Sequence, residues 1–253
     1  AWASTCTRGS HASAALDALS QAARDLRRYA PEVTALAGER PKVAVLLSSA
    51  ALAWEPRVHV EAQARAHRAL SLLGIPVGYM LEEMVPDGAL GRYSMLVIPS
   101  ATHISRALAD ALGQFASRGG TVVVTGSRPS ADEYGKPLVL ALPITSVPDR
   151  GASGASPDLD DTACRALHRA FRRLLRERGL TSEVSVRIDG HAAYGIDWRH
   201  AQVDRRDVVF ICNLLNRSVE GELALRGHPL EATDLVTARK VVGRAKLEPL
   251  EVL

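Results

Sequence analysis

Three short apolar runs in the first half of the chain constrain its fold more than any other feature. Val43–Leu47, Met95–Pro99 and Thr121–Thr125 are apolar over most of their length and lack the alternation of a strand with one face in water. Uninterrupted runs of this length indicate strands that are buried on both faces. We therefore expect these runs to lie at the centre of a parallel sheet.

Segments with helical periodicity separate the strands. One spans residues 58–73 and is followed by Gly74 and a further predicted strand at 75–80, and a second spans residues 105–118 and is followed by Gly119. Glycine just past the last periodic residue is a common helix terminator. Strands that alternate with helices predict an α/β fold with a doubly wound, mostly parallel sheet of the flavodoxin-like kind.

The segments before and after this layer have a different character. Residues 10–30 have helical spacing and end at Pro31, and the segment after residue 182 reads as short strands broken by turns. Three regions are expected. They are a helix and linker at 1–40 that continue from a missing upstream domain, an α/β domain at 41–182, and a small antiparallel β-sandwich domain at 183–253.

The stretch between the α/β layer and the β domain is rich in turn residues. Residues 127–135 are polar, residues 147–157 resemble a linker, and a strong amphipathic helix is predicted at 160–178. Aspartates at the start of that helix suit the positive end of its dipole. Its arginines are expected to form the solvated face.

Composition excludes several classes of function. The net charge is +3, but only four of the 31 basic residues are lysines. Such an excess of arginine beside so much alanine fits a GC-rich coding sequence better than a basic surface, so we expect no nucleic-acid partner. No run approaches the length of a membrane helix, so no membrane partner is expected. No leader opens the chain, which favours a cytoplasmic location, although a start at Ala1 suggests a piece of a longer protein.

The sequence also predicts no cofactor and no metal. Its three cysteines, Cys6, Cys164 and Cys212, are far apart and indicate neither a disulfide framework nor a zinc site. The predicted strands are not followed by a glycine-rich phosphate loop, so a dinucleotide site is not expected.

Candidate binding residues follow the predicted strands, where a doubly wound sheet binds its ligands. Trp54, Glu55 and Arg57 have the composition of a sugar-stacking platform and equally of an oligomer contact. His103 is either a binding residue or an ordinary residue at a helix start. The remaining candidates are Asp132, Glu133 and Tyr134. They either line a pocket or belong to a polar surface loop.

The run from Val97 to Ser100, followed by a helix, Gly119-Gly120 and Thr121–Thr125, resembles the class I glutamine amidotransferase fold. That resemblance implies a cysteine nucleophile on a sharp turn after the equivalent of the fourth strand. The turn here reads Thr125-Gly126-Ser127 and has no cysteine. We therefore expect an amidotransferase-like shape without amidotransferase activity.

A second resemblance covers most of the chain. Among the segments that carry it are Leu73-Gly74-Ile75-Pro76-Val77 and Asp132-Glu133-Tyr134-Gly135-Lys136-Pro137. Together they resemble the C-terminal part of a family 42 glycoside hydrolase of the β-galactosidase kind, in which a trimerisation domain and a small β domain follow a catalytic barrel. The full set of segments is 25–33, 42–46, 69–77, 96–99, 115–124, 132–137, 234–237 and 247–253.

The resemblance implies that this chain is inactive alone, and no catalytic residue is assigned to it. The two catalytic carboxylates of such enzymes belong to the barrel, which needs about 250 residues by itself. The resemblance implies that the chain mediates oligomerisation, with the full-length parent a homotrimer. It also implies that the Trp54 loop borders the active site. The carbohydrate substrate would bind through the missing barrel.

Two alternatives remain open from the residues. A free-standing carbohydrate-binding module would bind sugar through Trp54, Tyr134 or Trp198. An independent hydrolase on the same scaffold would use Ser127 or His103 and would need a concave site with a perturbed titratable group.

Overall fold

A computed structural model describes residues 12–85, 88–149, 151 and 162–250 of the chain. The chain divides into two compact units, one made of residues 1–39 and 201–208 and the other of residues 40–200 and 209–253. None of the helices in the described ranges combines the length and the apolar character that a membrane crossing requires. The predicted linker at 147–157 and the start of the predicted helix at 160 lie mainly outside these ranges.

The first unit contains two consecutive helices. The sequence predicts one helix that Pro31 ends, but α1 (Ala12–Arg28) ends earlier and α2 (Ala30–Gly38) begins just before that proline. Proline is accepted in the first turn of a helix because the amide that it lacks has no partner there. Pro31 therefore starts a helix, and the expected linker is mostly helical.

The second unit contains the predicted parallel sheet. The five strands have the order 2-1-3-4-5, and each neighbouring pair within the described ranges runs parallel. This order is that of a doubly wound, flavodoxin-like sheet, so the predicted fold class is confirmed. The strands are β1 (Val43–Leu47), β2 (Val77–Leu81), β3 (Met95–Pro99), β4 (Thr121–Thr125) and β5 (Ile144–Val147).

Helices cover both faces of the sheet. Leu108, Leu112 and Phe115 of the fifth helix pack on one face, and Leu167 and Phe171 of the sixth pack on the other beside the fourth helix. β1, β3 and β4 are almost completely buried, which explains their uninterrupted apolar sequence. The helices are α3 (Ser49–Trp54), α4 (Pro56–Ser71), α5 (Arg106–Ser117) and α6 (Thr162–Glu177).

Two elements of the layer were not expected from the sequence. A short helix, α3, precedes α4, and Ser48 caps it by accepting a hydrogen bond from the Ala51 amide at 3.1 Å. The next helix, α4, then begins at Pro56. The other unexpected element is β5, which adds a strand at the edge beside β4.

The C-terminal region is antiparallel, as predicted. Its larger sheet follows the order 12-13-14-10-6-7 with β11 paired to β10, and β8 pairs with β9. Trp198 packs in the core of this region, and its indole N–H donates to the Val184 carbonyl at 3.2 Å. The strands are β6 (Val184–Ile188), β7 (His191–Ala192), β8 (Ile196–Val203), β9 (Arg206–Asn213), β10 (Val219–Leu225), β11 (His228–Pro229), β12 (Glu231–Thr233), β13 (Lys240–Val242) and β14 (Arg244–Leu247).

Strand β8 is joined to the end of α4 by close packing and one hydrogen bond. Gly74 has a positive φ of +67°, and a Cβ on it would lie 1.8 Å from the Trp198 indole nitrogen. Arg199 Nη1 donates to the Ser71 carbonyl at 3.0 Å. Only glycine fits at position 74, both for its backbone conformation and for the approach of the indole.

His168 of α6 is buried near the same junction. Its Nε2 lies 3.3 Å from the Leu72 carbonyl, and its ring meets the Tyr194 ring edge-on. Burial is the main cause that lowers the pKa of His168 from 6.5 to about 4; Arg172 and Arg169 contribute to this shift, and the Leu72 hydrogen bond opposes it. The folded protein therefore holds this histidine neutral.

Acid should destabilise the fold through His168. Above pH 6.5 His168 is neutral in the folded and the unfolded chain, so it does not change the free energy of unfolding. Between pH 6.5 and about 4 only the unfolded chain takes up the proton, which favours unfolding. The wild type should lose about 3 kcal/mol more unfolding free energy over this range than His168→Gln, which does not titrate. Urea unfolding at several pH values measures the difference, and parallel profiles for the two proteins would contradict the assignment.

Candidate binding site at the carboxyl edge of the parallel sheet

The loops that follow β1, β3 and β4 meet at one edge of the sheet. Parallel strands all place their carboxyl ends at the same edge, so residues that are far apart in sequence become neighbours there. An isolated bridge pairs His103 after β3 with Ala131 after β4, and a second bridge pairs Ala131 with Pro137. These pairings hold the loops against each other.

Glu82 is the buried centre of this edge. Its Oε2 accepts a hydrogen bond from Ser48 Oγ at 2.6 Å and lies 3.3 Å from the Ala50 amide, while Oε1 accepts from the Ser105 amide at 2.5 Å. Burial would raise the pKa of Glu82, but the donors of Ser105, Ser48 and Ala50 outweigh it and leave the pKa lowered. One ionised carboxylate thus joins the end of β1 to the starts of α3 and α5.

His59 forms a second buried connection at this edge. It is fully buried, its Nε2 accepts the Ser48 amide at 3.0 Å, and its Nδ1 lies 2.7 Å from the Pro99 carbonyl. Since Pro99 offers only an acceptor, Nδ1 carries the proton. Burial lowers the pKa of His59 despite the Pro99 hydrogen bond and the nearby glutamates. The residue is therefore a neutral link between β1 and β3.

Trp54 and His103 form the exposed surface of the edge. Their rings stack with centroids 4.4 Å apart and planes within 3° of parallel. The Trp54 indole N–H donates to the Glu133 carbonyl at 3.1 Å. Trp54 is nevertheless 54% exposed. The ring is therefore fixed in orientation but open to solvent.

Glu55 and Thr102 fix the ends of the Trp54 and His103 segments. Glu55 Oε1 accepts from the Thr102 amide at 2.6 Å and from the Thr102 hydroxyl. Thr102 Oγ1 also lies 2.8 Å from His103 Nδ1. Glu55 thus connects the α3–α4 corner to the loop that carries His103, and the stacked rings are positioned from both sides.

Asp132 shapes the third loop. Its carboxylate is buried, accepts the Tyr134 and Lys136 amides at 3.0 and 2.8 Å, and pairs with Arg106 at 2.8 Å. Burial would raise the pKa of Asp132, but the donors of Lys136, Arg106 and Tyr134 lower it overall. Glu133 accepts the Arg106 amide at 3.0 Å, which ties the loop to the start of α5.

Six of the seven residues that the sequence singles out meet at this edge. Arg57 is the exception, because it is the second residue of α4 and pairs with Glu61 at 3.0 Å. Tyr134 is 77% exposed and lies between Glu133 and Gly135, both of which approach Trp54. Ligand binding by these residues stays a prediction.

Sequence reasoning missed the residues that support the exposed ones. Glu82, Thr102 and Arg106 each make two or more contacts at the edge, yet nothing in the sequence distinguishes Glu82 from its neighbour Glu83. Ser105 offered a signal, because it precedes a helical segment and caps α5 through the Leu108 amide at 3.2 Å.

The turn suggested as a nucleophile site differs from the expectation. Ser100 after β3 has a positive φ of 35°, and its hydroxyl accepts the Ser127 amide at 3.2 Å. Of these two turns, the one after β3 therefore has a non-glycine residue at positive φ, Ser100, whereas the turn after β4 has Gly126 there. In the part of the chain that the structure describes, no cluster of three metal-ligating side chains occurs.

Comparison with solved structures identifies where this fold occurs. No family model and no curated protein matches the sequence. The apo exo-carrageenase GH42 from Bacteroides ovatus has a TM-score of 0.71 at 15% identity, over 90% of this chain and 30% of that chain. β-Galactosidases from Bacillus circulans sp. alkalophilus and Rahnella sp. R3 have TM-scores of 0.57 at 14% identity. They cover 84% of this chain and 41% and 40% of their own.

The comparison establishes a fold related to that of family 42 glycoside hydrolases. At 14–15% identity the likeness concerns the fold alone. The chain spans between 30% and 41% of the length of these enzymes, so it corresponds to a part of each of them.

Replacing the buried carboxylate at the centre of the edge should weaken the fold. We expect Glu82→Gln to lower the unfolding free energy at pH 7 by about 1–3 kcal/mol. Glutamine replaces one of the two accepting oxygens with an NH2 group, which cannot accept a hydrogen bond. Glu83→Gln is the matched control, since Glu83 is exposed and accepts from Ser49 at the surface.

The effect should depend on pH. The Glu82 contribution is present above its unfolded pKa and disappears as the pH falls through the lowered folded value. Urea unfolding at pH 7 and in acid measures it, and equal losses for both variants at pH 7 would refute the special role of Glu82.

Proposed function

We propose that this chain is the non-catalytic, oligomerising and active-site-bordering region of a β-galactosidase-like glycoside hydrolase. The observation that carries the proposal is the fold, which matches 84–90% of this chain but only 30–41% of the enzymes that share it. The described sheets and helices are those of an α/β layer and a β domain. A catalytic (β/α)8 barrel would need about 250 further residues.

An exposed apolar surface supports the oligomerising part of the proposal. Tyr79 and Leu81 lie on one face of β2 and are 48% and 42% exposed, and Val60 of α4 is 46% exposed. His67, two turns after Val60, stacks on Tyr79 with ring centroids 4.8 Å apart, so these side chains share one side of the layer. We call Val60, His67, Tyr79 and Leu81 the β2-edge patch.

The strand itself adds to this surface. β2 pairs only with β1 in the described sheet and is therefore an edge strand with unpaired backbone groups on its outer side. Exposed apolar residues beside an open edge are typical of contact surfaces between chains. In the proposed parent, this edge contacts another copy, and the Trp54 loop borders an active site.

Self-association tests the oligomerising role. We expect the wild-type chain to self-associate in sedimentation velocity experiments at micromolar concentration, and Leu81→Asp to weaken association at least tenfold. A charge in a desolvated contact costs about 2 kcal/mol or more, whereas at a position this exposed it changes folding stability little. Val242→Asp is the control, because Val242 is 66% exposed on β13, outside the patch.

Two results would count against the proposal. A wild type that stays monomeric up to about 100 μM, well above the micromolar scale of weak specific complexes, would remove the oligomerising role. Hydrolysis of a nitrophenyl β-galactoside by the purified chain would show that the chain is catalytic and would favour the independent hydrolase.

A further inference from the structure

Trp54 is an exposed aromatic side chain whose orientation is fixed at three points. His103 covers one face of the indole, Glu133 accepts its N–H, and a Cβ at position 135 would lie 3.3 Å from two of its ring carbons. Since His103 covers one face and 54% of the residue remains exposed, the accessible area lies on the opposite face and edge. A rigid flat apolar surface is thus presented to solvent without a protein partner in the described chain.

Polar residues adjoin Trp54, because the Glu133 carbonyl accepts its indole N–H and Glu55 follows it in the chain. Glu133 accepts the Arg106 amide through Oε2, and Glu55 accepts from Thr102 through Oε1. Each carboxylate has a second oxygen that can accept further hydrogen bonds. Tyr134, 77% exposed, adds a hydroxyl that both donates and accepts. A flat apolar face with acceptors at its rim suits a ligand with one C–H face and several hydroxyl groups.

The charge at the edge discriminates between ligands. Glu55, Glu82, Glu83 and Glu133 accept hydrogen bonds from hydroxyls and backbone amides, and none of the four forms an ion pair with a described residue. Asp132, by contrast, is neutralised by Arg106. Even with Lys136 and Arg128 in the loop after β4, the four glutamates leave excess negative charge at the edge, which disfavours sulfated or carboxylated ligands.

We propose that the Trp54 face binds the ring of a neutral hexopyranose, with Glu55, Glu133 and Tyr134 hydrogen-bonding its hydroxyl groups. Galactose is a favourable ligand because its axial 4-hydroxyl leaves one ring face lined by C–H bonds. The proposal deepens the role given above to the Trp54 loop and rests on it only for the choice of galactosides. The binding itself requires neither a barrel nor a second copy.

Nuclear magnetic resonance of the whole 253-residue chain tests the site directly. The indole N–H signals come from Trp2, Trp54 and Trp198. Methyl β-galactoside should shift the Trp54 signal with a dissociation constant of about 1 mM, whereas the buried Trp198 signal should not move and serves as the internal reference.

Variants identify the source of the binding. Trp54→Ala should weaken it about two- to tenfold, which corresponds to the roughly 0.5–1.5 kcal/mol of an aromatic contact, while Trp54→Phe should retain part of it. Val242→Ala removes exposed apolar surface outside both this edge and the β2-edge patch, and should bind like the wild type. Unchanged Trp198 and backbone signals in Trp54→Ala would show that this variant is folded.

Three results would overturn the proposal. The first is a Trp54 signal that does not move up to about 100 mM sugar, far above the expected constant. The second is equal or tighter binding of galactose 6-sulfate, which the excess negative charge of the edge should weaken. The third is a Trp54 signal that responds to protein dilution and not to sugar, which would make Trp54 an oligomer contact. Self-association through the β2-edge patch is measured in a separate experiment. Failure of sugar binding can therefore be told apart from failure of the proposed oligomerising role.

Discussion

The buried carboxylate of Glu82 is the interaction on which the carboxyl edge depends. Three segments end or begin around it, and each gives it a donor: the Ser48 hydroxyl after β1, the Ala50 amide in α3 and the Ser105 amide before α5. A buried charge is tolerated only when such donors replace its water. Because all three are supplied by the ends of secondary structure elements, the carboxylate sets where these elements start.

The exposed site follows from this support. α3 ends at Trp54, and Ser105 follows the loop that carries His103, so the segments held by Glu82 are those that bring the two rings together. Glu55, Thr102 and Asp132 then fix the loops with hydrogen bonds that need no ligand. A surface arranged in advance loses little conformational entropy on binding, which favours even a small ligand. The α/β layer is thus a rigid support for a few exposed side chains.

Burial decides how much of the fold could be predicted from the sequence. β1, β3 and β4 have the predicted bounds because strands covered on both faces leave uninterrupted apolar runs. β5 was missed because Thr145 and Ser146 interrupt its apolar pattern and only Val147 is fully buried. α2 was missed because Pro31 reads equally as the end of one helix and the first turn of another.

The candidate site was predictable in its residue types and not in its connections. An aromatic residue with polar neighbours after β1, a histidine after β3 and an acidic pair after β4 are visible in the sequence. Their contact depends on strand order and on a bridge between His103 and Ala131, which no local pattern encodes. Glu82 was overlooked because the donors that distinguish it from Glu83 come from two distant segments, residues 48–50 and Ser105.

The fold, the partial coverage of family 42 enzymes and the apolar β2 edge are the observations behind the proposal that this chain is part of a larger hydrolase. The reading frame immediately upstream of the Ala1 codon tests this account most directly. An open frame that encodes a (β/α)8 barrel, with two carboxylates at the ends of its strands, is the predicted result. A stop codon followed by a start codon next to Ala1 would contradict the account and leave a free-standing chain.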